Sequence, residues 1–204
     1  MQSLLQNMSS RASSKKATTS APLPPEVDYT PFASSPEARA LDDRARALSD
    51  GDDDVGALVV HEQALALIQA AQDAAANPAQ ARQAALDVAF VKRQLAITYY
   101  NLGHWSRAQS LHEEVLAIRK RVLGRKHTRV AQAMTDIAYA MAQQDHHLEA
   151  EAMLQRALVM REDLLGPNHP DLTRTLTRLA DSFVATGNYA RAKPLLLRAV
   201  AIAE

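Results

Sequence analysis

The pentapeptide Leu123-Gly124-Arg125-Lys126-His127 returns 42 residues later as Leu165-Gly166-Pro167-Asn168-His169. The same offset carries the flanking residues without a gap. Leu95-Ala96 becomes Ile137-Ala138 and then Leu179-Ala180, Ala108 becomes Ala150 and then Ala192, and Ile118 becomes Met160 and then Ile202. A chain that repeats three times in one frame folds as an array. Each copy is a single supersecondary unit that buries its apolar face only against its neighbours.

Each copy reads as two helices. The first covers about 88–102, 130–144 and 172–186, and the second about 106–122, 148–164 and 190–203. Between them lie Gly103-His104-Trp105, Asp145-His146-His147 and Gly187-Asn188-Tyr189, where glycine permits the positive φ that ends a helix. Ala and Leu dominate while aromatics make up only 4%, a helix-forming composition. The alanines at 96, 108, 138, 150, 180 and 192 fall where paired helices cross closely, and a larger side chain there would force the backbones apart. The expected fold is all-α: an α-solenoid of stacked antiparallel helix pairs, with three repeats in residues 85–204 (about 88–129, 130–171 and 172–204).

Upstream, Ser35-Pro36-Glu37 is a helix start, with Ser as cap and Pro in the first position. The acidic stretch from Asp50 to Asp54 lacks the Gly and carboxylate positions of an EF-hand and reads as a solvated turn. Val60, Ala64, Leu67, Ile68 and Ala71 then follow a 3.6-residue period, and Asn77-Pro78 ends that helix. Residues 36–84 are expected to form a divergent N-terminal repeat or capping helices. Residues 1–35, Ser- and Pro-rich and free of acid before Glu26, are expected to be a disordered tail or a targeting segment.

The alanine spacing Ala96…Ala108 with Val115, and its two echoes, resembles the tetratricopeptide repeat. The 42-residue period with Leu-Gly-x-x-His is similar to the longer subclass found in kinesin light chains. HEAT and armadillo repeats have comparable periods but lack this alanine spacing and this loop. The resemblance implies a scaffold or adaptor that holds a protein partner, a peptide or a helix, in a concave groove. One departure stands out: kinesin-light-chain-like repeats often carry Asn pairs where this chain has Arg93-Gln94, Thr135-Asp136 and Thr177-Arg178.

Other function classes find little support. Lys+Arg and Asp+Glu both number 23, so no global field draws in nucleic acid or an anionic membrane. No apolar run approaches the roughly 20 residues of a membrane span. There is no cysteine, hence no disulfide framework, thiolate zinc site or cysteine nucleophile. Seven histidines show no H-E-x-x-H spacing, and His127 and His169, at equivalent loop positions, read as loop packing or hydrogen bonding. No phosphate-binding glycine loop or nucleophile elbow occurs. The chain is therefore read as non-enzymatic, with no catalytic residue, metal or cofactor. Its expected location is cytoplasmic, or mitochondrial or otherwise organellar if residues 1–25 are a transit peptide.

The first helix of each pair is expected to line the concave side. On it, ladders at i, i+4 and i+7/i+8 place Arg93, Ile97, Tyr100 and Asn101 beside Thr135, Tyr139 and Gln143, and these beside Thr177 and Asp181. This mixed wall points to a partner gripped by hydrogen bonds and aromatic contact, not by a charge clamp. The last helix carries Leu195, Leu196 and Val200 with no following cover, so this face is expected to meet another protein or a second copy. An alternative is a structural subunit of a large multiprotein complex.

Overall fold

The computed structural model describes residues 29–33 and 35–203; the expectations placed on residues 1–28 lie outside them. The described residues form eight helices: α1 Pro36–Asp50, α2 Asp54–Asp73, α3 Pro78–Asn101, α4 Trp105–Leu123, α5 Thr128–Ala142, α6 His147–Leu165, α7 Leu172–Ala185 and α8 Tyr189–Ala203. Each packs on its neighbours in sequence, and α5 also touches α7. That pattern of purely local contacts is a solenoid of hairpins, as the repeat implied.

The alanines hold the hairpins together. Ala96, Ala108, Ala138, Ala150 and Ala180 are 0% exposed and Ala192 is 2% exposed. Ala45 in α1 and Ala57 in α2 share the twelve-residue spacing and are likewise fully buried. The first hairpin is thus built on the same crossing as the other three, although it leads the next repeat by 51 residues instead of 42. The nine extra residues lie in α3, which has 24 residues against 15 in α5. Asn77-Pro78, expected only to end a helix, also begins one. Asn77 Oδ1 accepts from the Gln80 amide at 2.9 Å, with Pro78 in the first turn.

Several local expectations hold. Ser35 caps α1 by accepting from the Ala38 amide, and Asp53 in the acidic turn caps α2 by accepting from the Gly56 amide at 2.8 Å. His127 and His169 each accept through Nδ1 from the backbone amide two residues on, at 3.0 and 3.1 Å, closing the starts of α5 and α7. The inter-helix turns repeat a left-handed residue at Gly103 (φ 77°), Asp145 (φ 61°) and Gly187 (φ 73°). Between repeats, the buried Arg119 donates through Nη1 to the Arg129 carbonyl at 2.8 Å. Its counterpart Arg161 donates to the carbonyl of Asp171. Each arginine stitches one hairpin to the first turn of the next.

The disordered tail expected for 1–35 extends too far. Tyr29 and Phe32 are buried. Tyr29 Oη donates to Asp87 Oδ1 at 2.8 Å and the Phe32 amide donates to the same oxygen at 2.9 Å. The Phe32 ring meets Phe90 edge-on at 5.3 Å, and the Arg129 guanidinium lies 4.5 Å from the Tyr29 ring centroid. Two aromatics with partners for their polar groups offset the ordering entropy that the surrounding Ser and Pro residues could not. In consequence the Tyr29 hydroxyl is pushed well above its ordinary range, by burial and then by the Asp87 carboxylate.

Candidate binding groove

The first helices α3, α5 and α7 present their i, i+4 rows side by side, and the rows meet in a π-stack. Tyr100 of α3 stacks on Tyr139 of α5 at 4.7 Å with 25° between planes. The Arg178 guanidinium of α7 sits 3.7 Å from the Tyr139 ring centroid. Beside this stack opens a cavity of about 230 Å³ lined by Ile97, Tyr100, Asn101, His112, Asp136, Tyr139, Arg174 and Arg178. A second cavity of about 100 Å³ shares Tyr139 and Arg178 with the first and continues past Ala142, Gln143, Asp181 and Ala185.

A buried carboxylate organises the polar side. Asp136 accepts from Arg93 Nε at 2.8 Å and from Arg174 Nη2 at 3.0 Å, with Arg178 Nη1 at 3.9 Å. Burial alone would raise the Asp136 carboxyl, but the Arg93 and Arg174 guanidiniums outweigh it and hold it below the usual carboxylate range. Burial, and then the neighbouring Arg174, weakens the hold of Arg178 on its proton. His112 reaches the same cavity from α4. It is 4% exposed, its Nδ1 has no hydrogen-bond partner, and burial lowers its pKa to about 4, so it is neutral near pH 7.

The residues expected to form the wall divide by where the structure places them. Ile97, Tyr100, Asn101 and Tyr139 line the first cavity, while Gln143 and Asp181 line the second. Asn101 also donates to Asp54 at 3.4 Å. Arg93 is no free cation, because it is spent on Asp136. Thr135 does not line the groove: it is 1% exposed, its hydroxyl donates to the Ala131 carbonyl at 3.0 Å and lies 3.5 Å from that of Thr175. Thr177 is half-buried and donates to the Thr173 carbonyl at 2.9 Å.

The wall also carries more charge than the ladder suggested. Asp136, Arg174 and Arg178 were missed because they stand one residue beside the expected rows or one turn before them. The available signal was an acid at 136 with basic residues at 174 and 178 in the next repeat, a pairing that becomes visible only once the helices lie side by side. His112 carried no signal at all, since its equivalents are Leu154 and Leu196.

On the last helix, Leu195 is half-buried against the cluster holding Leu176, Leu179 and Phe183, so it does not belong to the open face assigned to it. Leu196 and Val200 are exposed, joined by Leu197 at 61%. Among the described residues no group of three or more His, Cys, Asp or Glu is placed to hold a metal ion, and no helix is long and apolar enough to cross a membrane.

An array of hairpins whose first helices share an open, side-chain-lined trough defines the class: a helical-repeat scaffold for protein interactions. The chain belongs to the tetratricopeptide repeat family, whose model matches residues 87–163 and 137–204. No curated protein matches the sequence. Among solved structures, BtubC (BKLC) from P. vanneervenii is similar with a TM-score of 0.66 at 22% identity over 81% of this chain and 62% of that one. Apo RapI is similar at 0.64 and 16% identity, over 81% of this chain and 42% of that one. The nearly identical TPR-like repeats of a kinesin light chain from Podosopora anserina score 0.51 at 19% identity, over 80% and 93%. The chain therefore spans less than two thirds of BtubC and under half of RapI. At these identities the likeness is one of fold.

Proposed function

We propose that this chain is a non-catalytic adaptor that holds an extended segment of a partner protein in the trough along α3, α5 and α7. The observation that carries this is the Tyr100–Tyr139–Arg178 stack, which presents rigid aromatic and guanidinium surface to a cavity of about 230 Å³. Tyr and Arg are among the side chains that most often dominate binding energy: Tyr brings large contact area with few rotatable bonds, and Arg a planar guanidinium that stacks and donates several hydrogen bonds. Affinity capture followed by direct titration tests it. Tyr139→Ala is expected to weaken the captured partner by about tenfold or more, the scale of one lost hot spot, while the helical circular dichroism stays unchanged. Arg93 is a poor probe, since replacing it strands the buried Asp136. An unchanged affinity for Tyr139→Ala retires the groove.

A second reading, a fixed subunit of a larger assembly or of a homo-oligomer, draws support from Leu196, Leu197 and Val200 lying exposed together on α8. In that case Val200→Glu releases the chain from its complex, or lowers its mass in light scattering, while leaving the groove's affinity intact. A chain that stays monomeric and leaves every captured complex unaltered by this change removes that reading.

A further inference from the structure

We propose that the loop between α4 and α5, together with the start of α3, is a docking surface for an anionic lipid membrane, which would hold the array by the edge opposite its hairpin turns. The proposal goes beyond the trough reading and uses none of the trough's residues.

The sequence concentrates charge here. No acidic residue lies between Glu114 and Asp136, while Arg119, Lys120, Arg121, Arg125, Lys126 and Arg129 all do. Two of these are engaged: Arg119 is buried and donates to the Arg129 carbonyl, and the Arg129 guanidinium lies over the Tyr29 ring. Lys120, Arg121, Arg125 and Lys126 are exposed, and none has an ion pair or side-chain hydrogen bond among the described residues. Arg82, also exposed, joins them from α3. Its Nη2 donates to the Val122 carbonyl at 2.9 Å, which fixes it beside the end of α4. Five cations thus share one edge of one hairpin without an acidic partner among the described residues.

Local stability explains only part of this. Lys120 and Arg121 stand in the last turn of α4, where a cation complements the carbonyl end of the helix. Arg125 and Lys126 lie beyond the helix, and Arg82 is in the second turn of α3, where the dipole gives a cation no support. The repeat itself supplies the comparison. At the next copy, 42 residues on, Lys120, Arg121, Arg125 and Lys126 become Glu162, Asp163, Pro167 and Asn168. The same loop folds with acidic and neutral residues there, so the cations are not a packing requirement.

What accompanies the cations selects the kind of polyanion. Rings that would stack on bases stand elsewhere: the exposed Trp105 and Tyr189 begin α4 and α8, at the hairpin turns. The described chain begins at the patch, where Tyr29 packs on Leu86 and Leu123. The residues before it include Arg11, Lys15 and Lys16, with no acid before Glu26, and the apolar Leu4, Leu5 and Met8. Basic and apolar residues together are the two signals that attach a protein stably to anionic headgroups. Asp163 and Asp171, exposed on the same edge one repeat further, are repelled by such a surface, so the α3–α4 hairpin faces the lipid and the α5–α6 hairpin stands off.

Co-sedimentation of the full chain with vesicles is the test. Vesicles of phosphatidylcholine with phosphatidylserine should bind it, vesicles of phosphatidylcholine alone should not, and added NaCl should release it. Arg125→Gln combined with Lys126→Gln should lower the partition on the order of twentyfold, since each cation near an anionic surface is worth about fivefold. Lys120→Gln with Arg121→Gln serves if circular dichroism shows the first pair unfolded. Arg156→Gln with Lys193→Gln removes the same charge from exposed positions on α6 and α8 and should leave the partition unchanged. An equal loss from that control pair, no loss from the loop variants, binding to phosphatidylcholine alone, or binding to neither vesicle overturns the proposal. Tighter binding of an oligonucleotide, single-stranded or duplex, or of poly-glutamate also overturns it, by making the patch a site for nucleic acid or for an acidic protein.

Discussion

Replacing Asp136 by Asn tests whether the buried carboxylate holds three repeats in register. The carboxylate side chain is 3% exposed, and its partners Arg93 and Arg178 are 14% and 16% exposed, so all three are largely withdrawn from water. An amide keeps the shape and one acceptor but no charge. It leaves two mostly buried guanidiniums facing each other without a counter-ion, while Arg174, at 43%, can turn to solvent. Breaking a buried pair by removing one partner costs about 3–5 kcal/mol, chiefly as the penalty on the charge left behind. Against a total stability of about 5–15 kcal/mol that is a large fraction. For a chain of this length it corresponds to a melting point lower by roughly 6–20 °C. Urea denaturation followed at 222 nm reads the change directly. A reduced slope along with the lower midpoint would show the array coming apart at the α3–α5–α7 seam before the rest. Adding Arg93→Gln to Asp136→Asn should recover stability, because it removes a stranded cation. A midpoint shift worth less than about 1 kcal/mol, or no coupling between the two changes, refutes the reasoning, since it would place the pair in the weak range of surface ion pairs.

Two other outcomes follow from the packing and the buried histidines. Ala150→Leu, at a fully buried crossing of α5 and α6, is expected to destabilise by about 1–3 kcal/mol in the same denaturation assay, because the helices have no room to part. His61 and His112 both have pKa values lowered to about 4 by burial, so the folded state binds fewer protons than the unfolded chain between pH 6.5 and 4. Their contribution is therefore complete above about pH 6.5 and is lost as the pH falls toward 4, by up to about 3 kcal/mol for each histidine. Melting curves across that window should fall less steeply for His112→Leu, which copies the residue at Leu154.

Much of the fold was readable from residue spacing. Gly103, Gly187 and the Leu-Gly-x-x-His loops marked the helix ends to within a residue or two at most boundaries, because termini are governed by local chemistry of caps and left-handed residues. The first hairpin was harder to recognise. Its Ala45–Ala57 pair obeys the same twelve-residue rule, but nine added residues in α3 displace it from the 42-residue frame. The start of the ordered chain was misplaced for a related reason: Tyr29 and Phe32 sit in a stretch whose average composition is that of a tail, and their partners Asp87, Phe90 and Arg129 are more than fifty residues away.

The site divides along the same line. Tyr100 and Tyr139 were legible because the helical period alone puts them on one row. Their stacking, the cover of Arg178, and the capture of Arg93 by Asp136 were not, since these depend on how far neighbouring first helices approach and at what height. What the sequence determines by itself is the repeating unit: alanines where helices cross, turn residues where they end, and hence an array with a continuous wall. Which side chains on that wall remain free for a partner is decided only in three dimensions. Ion pairing and burial depend on side-chain tips from different repeats, and a one-dimensional period fixes the position of Cβ atoms, not where a guanidinium finds its counter-charge.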